Sequence, residues 1–231
     1  MESFGINYSI IYSNRKTMSI CINQDGSVCV RAPRFVAKKE IERIINQKRS
    51  WIEKKQQQMI ERSHVRDTNV RTYEPDSTMP YLGQEYPLKF FRYNGLMMPE
   101  IHLVNDHFQI HYSCYDQQAI RQAFRTWYLN QATVVYKERI SYYNKIIQEP
   151  FGHVRIKEQK SCYGSCSSKR NLNFNWRCVL APIEILDYVV VHELCHLKQL
   201  NHSPQFWAEV KKILPDYELR RRWLKTHQLD I

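Results

Sequence analysis

The chain has 231 residues, of which 43% are hydrophobic and 13% aromatic, and these side chains are spread along its whole length. This composition excludes an intrinsically disordered protein and is sufficient for one large domain or two small ones. The net charge of +11 comes from 34 Lys and Arg against 23 Asp and Glu. Such a charge is consistent with a surface that binds a polyanion, such as nucleic acid or a nucleotide, or with an ordinary solvated surface.

The cysteines and the first residues predict a cytoplasmic protein. The chain has seven cysteines, and an odd number cannot all pair with one another. The first 17 residues, MESFGINYSIIYSNRKT, contain no apolar segment behind a basic one, so we expect no secretory signal. The apolar runs are far shorter than a membrane span. We therefore expect reduced thiols, a cytoplasmic location and no membrane partner.

The N-terminal part of the sequence predicts β structure followed by a helix. Two β-prone runs, residues 18–22 and 28–30, flank the turn-forming residues 23–26 (NQDG), which is typical of a hairpin. Over residues 37–62, apolar side chains recur at intervals of three and four, which predicts a helix. Residues 63–80 are polar and predict a loop.

The middle of the sequence predicts two more β-rich stretches and then a long helix. The β-rich stretches cover residues 81–91 and 101–112. Their turn signals lie at Gly83 and at Asn105-Asp106. A helical pattern follows over residues 117–147.

A strand and a helix are predicted in the part of the chain that carries the chemistry. Residues 171–178 read NLNFNWRC, and the strict alternation of apolar and polar side chains predicts a strand with one buried face. Pro182 then suits the first turn of a helix. Apolar side chains give this helix a buried stripe, which includes Leu186, Val190 and Leu194.

The same helix carries the sequence His192-Glu193-Leu194-Cys195-His196. Residues four apart lie on one face of a helix, so both imidazoles can reach a single metal ion. Glu193 is rotated around the helix axis and can contact a water at the metal rather than the metal itself. Zinc lowers the pKa of such a water, and the carboxylate can accept its proton, so we predict Glu193 as general base.

A third metal ligand is needed, and His202 is the first candidate. Ser203-Pro204 directly after it predicts the N-cap and first position of a new helix, and a turn there would bring His202 back towards the other two histidines. Three protein ligands with one open position form a catalytic zinc site. Glu209 and Glu218 are competing third ligands, with Glu209 the stronger of the two.

Several weaker chemical signals keep two interpretations each. A second metal ion could be held by Cys162, Cys166 and Cys178, but the simpler interpretation is that these cysteines are free thiols. Asp187 is either a carboxylate that orients a ligand histidine or a surface acid. The phenols considered as oxyanion stabilisers are those of Tyr163 and Tyr188.

Two further segments are candidates for binding. The predicted strand at residues 171–177 either takes up an extended peptide as an added strand or lies inside a sheet. The basic residues Arg220, Arg221, Arg222 and Lys225 either bind a polyanion or form a solvated helix face.

Five runs of sequence resemble the YgjP-like metallopeptidase family, whose relatives are the SprT-like and WLM zinc proteases. The runs are residues 160–168 (KSCYGSCSS), 171–176 (NLNFNW), 180–182 (LAP), 187–196 (DYVVVHELCH) and 201–207 (NHSPQFW). The resemblance implies a zincin-like catalytic domain that binds Zn²⁺ through His192, His196 and His202, with Glu193 as base. The chain departs from the family pattern at Tyr163, where Trp is usual, and at Arg170, where Gly is usual.

Together these features predict an α+β protein with a zincin-like domain, in which the HExxH helix packs on a small β-sheet. We expect a β-rich accessory region with one long helix over residues 1–112, and the metallohydrolase domain over residues 113–231. The predicted function is zinc-dependent hydrolysis of peptide bonds in a peptide or protein substrate. Two alternatives stay open: a metal-dependent hydrolase of a nucleotide or other phosphorylated small molecule, and a nucleic-acid-associated protein with a zinc site.

Overall fold

The computed structural model describes residues 2–3, 5–23, 25–57, 71–159, 162–227 and 229. Its residues divide into two units, Met1–Val70 and Arg71–Ile231, each with its own hydrophobic core. The predicted boundary between residues 112 and 113 falls inside the second unit. The packing of the chain divides after residue 70. The assignment of an accessory role to residues 1–112 and of the metallohydrolase activity to residues 113–231 stays a prediction.

The first unit consists of a four-stranded sheet and the helical segments that follow it. The strands are β1 (Glu2–Ser3), β2 (Ile6–Ser13), β3 (Ser19–Ile22) and β4 (Val28–Pro33), in the order β1-β2-β4-β3. Helix α1 (Lys38–Gln47) follows, and residues 49–57 form a second helical segment, α2. The core of this unit is built from aliphatic side chains on both parts, including Val28, Val30, Ile41, Ile45 and Ile52.

The predicted hairpin and helix of this unit are confirmed where the structure describes them. Strands β3 and β4 pair in antiparallel fashion, and the Asn23 N–H donates to the Ser27 carbonyl at 2.9 Å to close the turn. Gly26 has a φ of 79°, which a glycine adopts without strain. The predicted helix at 37–62 begins at Lys38 and is interrupted at Lys48; its residues 58–62 lie outside the described residues.

The second unit begins with another four-stranded sheet. Its strands are β5 (Thr78–Tyr81), β6 (Gln84–Arg92), β7 (Glu100–Val104) and β8 (His107–Tyr112), in the order β5-β6-β8-β7. Both predicted turns are confirmed, with positive φ at Gly83 and Asn105. The loop predicted to continue to residue 80 is wrong at its end, because Pro80 lies in β5, an edge strand where a missing N–H costs no ladder bond. Residues 63–70 of that loop lie outside the described part of the chain.

Helix α3 (Gln117–Ile147) has the bounds that the periodicity predicts. The Asp116 side chain caps its first turn by accepting from the Gln118 and Ala119 N–H groups. Its buried face packs on the preceding sheet: the Phe124 and Phe108 rings lie 5.2 Å apart, and the Tyr128 hydroxyl donates to the Pro80 carbonyl at 2.6 Å. Strands before residue 112 and the helix after it therefore share one core.

A three-stranded sheet and three helices complete the second unit. The strands are β9 (Val154–Lys157), β10 (Gly164–Cys166) and β11 (Leu172–Asn175), and β11 lies in the middle, parallel to β9 and antiparallel to β10. The helices are α4 (Ile183–Cys195), α5 (Pro204–Ile213) and α6 (Tyr217–Thr226). Across the described ranges, none of the helices has the length and hydropathy that a membrane crossing requires.

The strand predicted over residues 171–178 is too long. It ends at Asn175, and Trp176–Leu180 form a 3-10 helix in which Trp176 and Cys178 stay buried. The Asn175 side chain causes the change, because its Oδ1 accepts from the Arg177 N–H at 3.1 Å and caps the new turn. Because β11 is an interior strand, the proposal that it takes up a substrate strand is wrong.

A partly buried ion pair joins α4 to α3. Asp187, 5% exposed, accepts two hydrogen bonds from the Arg139 guanidinium, at 2.6 and 2.7 Å. Asp187 is therefore neither a partner of a ligand histidine nor a surface acid. The pair raises the pKa of Arg139, mainly through its hydrogen bond to Asp187.

Arg139→Ala is expected to lower the free energy of unfolding by about 3 kcal/mol, because it leaves the Asp187 carboxylate buried without its partner. Urea unfolding followed by circular dichroism measures the loss. The double variant Arg139→Ala/Asp187→Ala should lose less than the single one, because no unpaired charge stays buried. A double variant less stable than Arg139→Ala would contradict this account.

Candidate metal centre

Three imidazoles from α4 and the turn beyond it lie together. One ring nitrogen of each of His192, His196 and His202 lies within 4.8 Å of the other two. His192 Nε2 and His202 Nε2 are 3.0 Å apart. Nitrogen ligands about 2.0–2.1 Å from a tetrahedral zinc ion are themselves about 3.3 Å apart, so this spacing fits one ion.

Local hydrogen bonds produce the turn that brings His202 back. Helix α4 ends at Cys195, whose carbonyl accepts from the Lys198 and Gln199 N–H groups, both at 3.0 Å. Helix α5 begins as predicted, with Ser203 as N-cap and Pro204 in the first position, and Ser203 Oγ accepts from the Phe206 N–H at 3.3 Å. The short connection between the two helices leaves His202 opposite His192.

Two of the three rings, those of His192 and His196, have a pKa below the ordinary value of histidine. His196 Nδ1 lies 2.9 Å from the Gln199 carbonyl oxygen, which can only accept, so Nδ1 carries the hydrogen and Nε2 keeps its lone pair. Burial, together with the neighbouring His196 and His202, lowers the pKa of His192 to about 3. Burial also lowers the pKa of His196. Neutral imidazole is the form that binds a metal, so these lowered pKa values favour metal binding by His192 and His196.

Aromatic rings form one side of this site. The Phe206 ring lies 4.9, 4.4 and 4.9 Å from the rings of His192, His196 and His202. Trp207 stacks on His202 at 5.5 Å, and the Arg221 guanidinium lies 4.5 Å from the Trp207 ring. These contacts limit how the three imidazoles can rotate, and they place the imidazole rings next to an apolar surface.

Glu193 lies beside the three histidines and faces strand β10. It is 5% exposed, and its carboxylate accepts a hydrogen bond from the backbone N–H of Cys166. Burial raises the pKa of Glu193 to about 8, an effect that the Cys166 hydrogen bond partly offsets.

Gly164 is the residue of this site that the sequence analysis missed. A Cβ at this position would lie 2.7 Å from both Cγ and Oε1 of Glu193, so only glycine allows the approach. The sequence contains a signal for it, since a glycine within a strand often marks a close approach of another group. Its partner on α4 could be identified only from the folded chain.

The competing carboxylates are engaged elsewhere. Glu209 is paired with Lys212 at 2.5 Å and Lys198 at 3.6 Å. Glu218 accepts from the Tyr217 hydroxyl at 3.2 Å. Within the described ranges, neither belongs to the group around His202.

The converging metal-ligand atoms around His192 include none of the candidate cysteines, among the residues that the structure describes. No disulfide joins the cysteines, all of which lie among the described residues, and burial raises the pKa of Cys166 and takes that of Cys178 to about 12. Cys162, Cys166 and Cys178 form no converging group of metal-ligand atoms within the described ranges. Tyr188 is buried with its ring 5.7 Å from that of His192, and the Tyr163 carbonyl accepts from the Asn175 N–H. An oxyanion role for the phenol of either tyrosine stays a prediction.

The predicted basic cluster on α6 does not act as one patch. Arg220 pairs with Asp216 at 3.0 Å and donates to the Glu184 carbonyl at 3.0 Å. Arg221 covers Trp207, as described above, and Arg222 is exposed. The interpretation as a single polyanion site loses its support.

Arg170 ties the C-terminal end of α4 to the start of the small sheet. Its guanidinium donates to the Pro150 carbonyl at 2.7 Å, the Leu197 carbonyl at 3.2 Å and the Glu149 carboxylate at 2.6 Å. Its φ of 61° is left-handed, which explains why a glycine would suit this position. The chain therefore has a strained backbone here together with three side-chain hydrogen bonds.

Arg170→Gly is expected to lower the free energy of unfolding by about 2 kcal/mol through the lost hydrogen bonds. Arg170→Ala should lose about 1 kcal/mol more, because alanine lacks the bonds and also disfavours the left-handed backbone. Urea unfolding of both variants measures which has the lower free energy of unfolding. If Arg170→Ala were more stable than Arg170→Gly, the left-handed conformation at this position would not contribute to the stability difference.

Comparison with known proteins identifies related sequences and structures. A family model described as YgjP-like, metallopeptidase domain, matches residues 16–227. The chain is similar to the metallopeptidase zymogen abylysin of Pyrococcus abyssi, at 25% identity and a TM-score of 0.36, over 39% of this chain and 94% of that one. It is also similar to the metallopeptidase zymogen jannalysin of Methanocaldococcus jannaschii, at 25% identity and a TM-score of 0.34, over 38% of this chain and 95% of that one. No curated protein matches the chain.

Proposed function

The chain belongs to the YgjP-like metallopeptidase family, and from this premise we propose that it is a zinc-dependent peptidase of zincin-like architecture. His192, His196 and His202 hold the metal. The observation that carries the proposal is the convergence of their three ring nitrogens within 4.8 Å. Imidazole suits zinc, and three protein ligands leave one position open, as catalytic sites do.

Zinc, when bound, supplies Lewis acidity that lowers the pKa of water and polarises a peptide carbonyl. We assign the proton transfers to Glu193, whose carboxylate takes a proton from the attacking water and delivers it to the leaving amine. The Cys166 N–H and the Gly164 backbone hold that carboxylate in one position. The apolar ring of Phe206 excludes water from behind the ligands.

Strand β10 is the element we propose for substrate binding, in place of β11. Among the described strands it lies at one edge of its sheet, and β9 lies at the other. The Tyr163 carbonyl and the Ser167 N–H are bonded to residues around β11, so the backbone groups of Gly164 and Cys166 between them face the other way. The Cys166 N–H reaches Glu193 from this edge, and an extended peptide pairing beside it would lie next to the base.

Hydrolysis assays with the purified, zinc-loaded chain test the proposal. Casein and a nucleoside triphosphate are offered separately, with and without a chelator. We expect cleavage of casein that the chelator abolishes and added zinc restores. Turnover of the nucleotide without proteolysis would contradict the proposal and favour the phosphorylated-substrate alternative. Salt-sensitive DNA binding with no hydrolysis of either substrate would also contradict it.

A further inference from the structure

We propose that Glu100, His102 and His111 form a second site for a divalent transition-metal ion, on the outer face of the β5–β8 sheet. One ligand atom from each side chain lies within 4.8 Å of the other two. The site shares no residue with the three-histidine group, and the proposal does not depend on the proposed function.

The strand register brings the three side chains together. Glu100 on β7 lies directly opposite His111 on β8. His102 is two residues further along β7, so its side chain is on the same face of the sheet as that of Glu100. Glu100 Oε2 is 3.5 Å from His102 Nε2, and the two imidazole rings lie 5.0 Å apart.

The strands hold these positions firmly. Ile101 and Ile110, which alternate with the three residues along β7 and β8, are buried in the core, so the register cannot slip without exposing them. The rings of Phe91 and Tyr93 flank His111 at 5.7 and 4.8 Å and restrict its rotation. The site is open to solvent on its other side, which leaves room for the ion to enter and for water to complete its coordination.

The donor set indicates the class of ion. Two imidazoles and one carboxylate suit zinc, nickel or copper, whereas magnesium and calcium prefer all-oxygen sites. Binding would join β7 to β8 through side chains as well as backbone and would stabilise the folded chain by mass action.

His107 provides a matched control on the same strand. It also faces outward, but its Nδ1 lies 3.0 Å from Asp106 Oδ1 and its Nε2 lies 3.2 Å from Gln109 Nε2. Both ring nitrogens are thus engaged, and His107 is not part of the metal-binding group.

Equilibrium dialysis against zinc measures the number of ions bound to the full chain and to three single variants. We expect His102→Ala and His111→Ala each to bind about one ion fewer than the wild type, and His107→Ala to bind as many. Zinc should also raise the melting temperature of His107→Ala more than that of His102→Ala. Equal zinc binding by His102→Ala, His111→Ala and the wild type would overturn the proposal.

Two further measurements make the result specific. Magnesium in place of zinc should give no difference between the wild type and His102→Ala, and a magnesium-dependent difference would contradict the imidazole site. His192→Ala reports on the three-histidine site alone. Unchanged zinc binding in His192→Ala would count against the proposed function, while the loss in His102→Ala would still support the sheet site.

Discussion

Glu193→Gln is expected to reduce peptide cleavage by about 10²–10⁴-fold while the bound zinc stays unchanged. Glutamine has the size of glutamate and can still accept the Cys166 hydrogen bond, so the side chain keeps its place. It cannot take a proton from the attacking water. Rates of peptide hydrolysis and zinc content, measured on the same preparation, separate the two effects.

Glu209→Gln is the control for this prediction. Glu209 lies on α5 and is paired with Lys198 and Lys212, away from the three imidazoles. Its replacement by glutamine should leave the rate of cleavage as it is in the wild type. If Glu193→Gln cleaved peptides as fast as Glu209→Gln, another group would have to be the base.

Gly164→Ala is expected to reduce cleavage by roughly 100-fold with zinc retained, because a displacement of about 1 Å in a reacting group can cost that much. The added methyl group would lie 2.7 Å from Glu193 Oε1, so the carboxylate must move. The strand cannot easily yield instead, since Gly164 pairs with the fully buried Phe174.

Ser165→Ala is the matched change on the same strand. The Ser165 hydroxyl accepts a hydrogen bond from the Asn173 side chain at 3.3 Å. Adjacent residues of a strand point to opposite faces, so the Ser165 side chain lies on the other face of β10 from the side of Gly164 that Glu193 approaches. Peptide hydrolysis by this variant should stay within a few-fold of the wild type, while Gly164→Ala falls far below it. Similar rates for the two variants would show that β10 does not hold the carboxylate in position.

Elements that depend on local sequence were predictable. The periodicity and cap of α3 lie within the helix itself, and the β3–β4 and β7–β8 turns are set by the residues at their tips. The 3-10 helix at Trp176–Leu180 was not predictable in this way. It is caused by a side-chain cap from Asn175, which interrupts an otherwise alternating pattern of apolar and polar residues. The division of the packing at residue 70 did not follow from local sequence, because the contact of Phe108 with Phe124 crosses the turn between strand and helix.

The same distinction holds for the candidate site. The two histidines one turn apart and the Ser203-Pro204 helix start are local features, and the structure places them as the sequence predicts. Gly164 and Asp187 depend on partners far along the chain, Glu193 and Arg139. No spacing rule connects such pairs, so their roles follow only from the packing of α4 on β10 and α3.

The most direct test of the metal site is the zinc that the chain keeps after dialysis against metal-free buffer, with and without His202→Ala. Both proteins should carry His102→Ala, so that the sheet site does not contribute. We predict that the chain with His202 keeps about one zinc ion and that removal of this ligand lowers the zinc affinity by more than about 100-fold. Equal retention of zinc by the two proteins would contradict the three-histidine site.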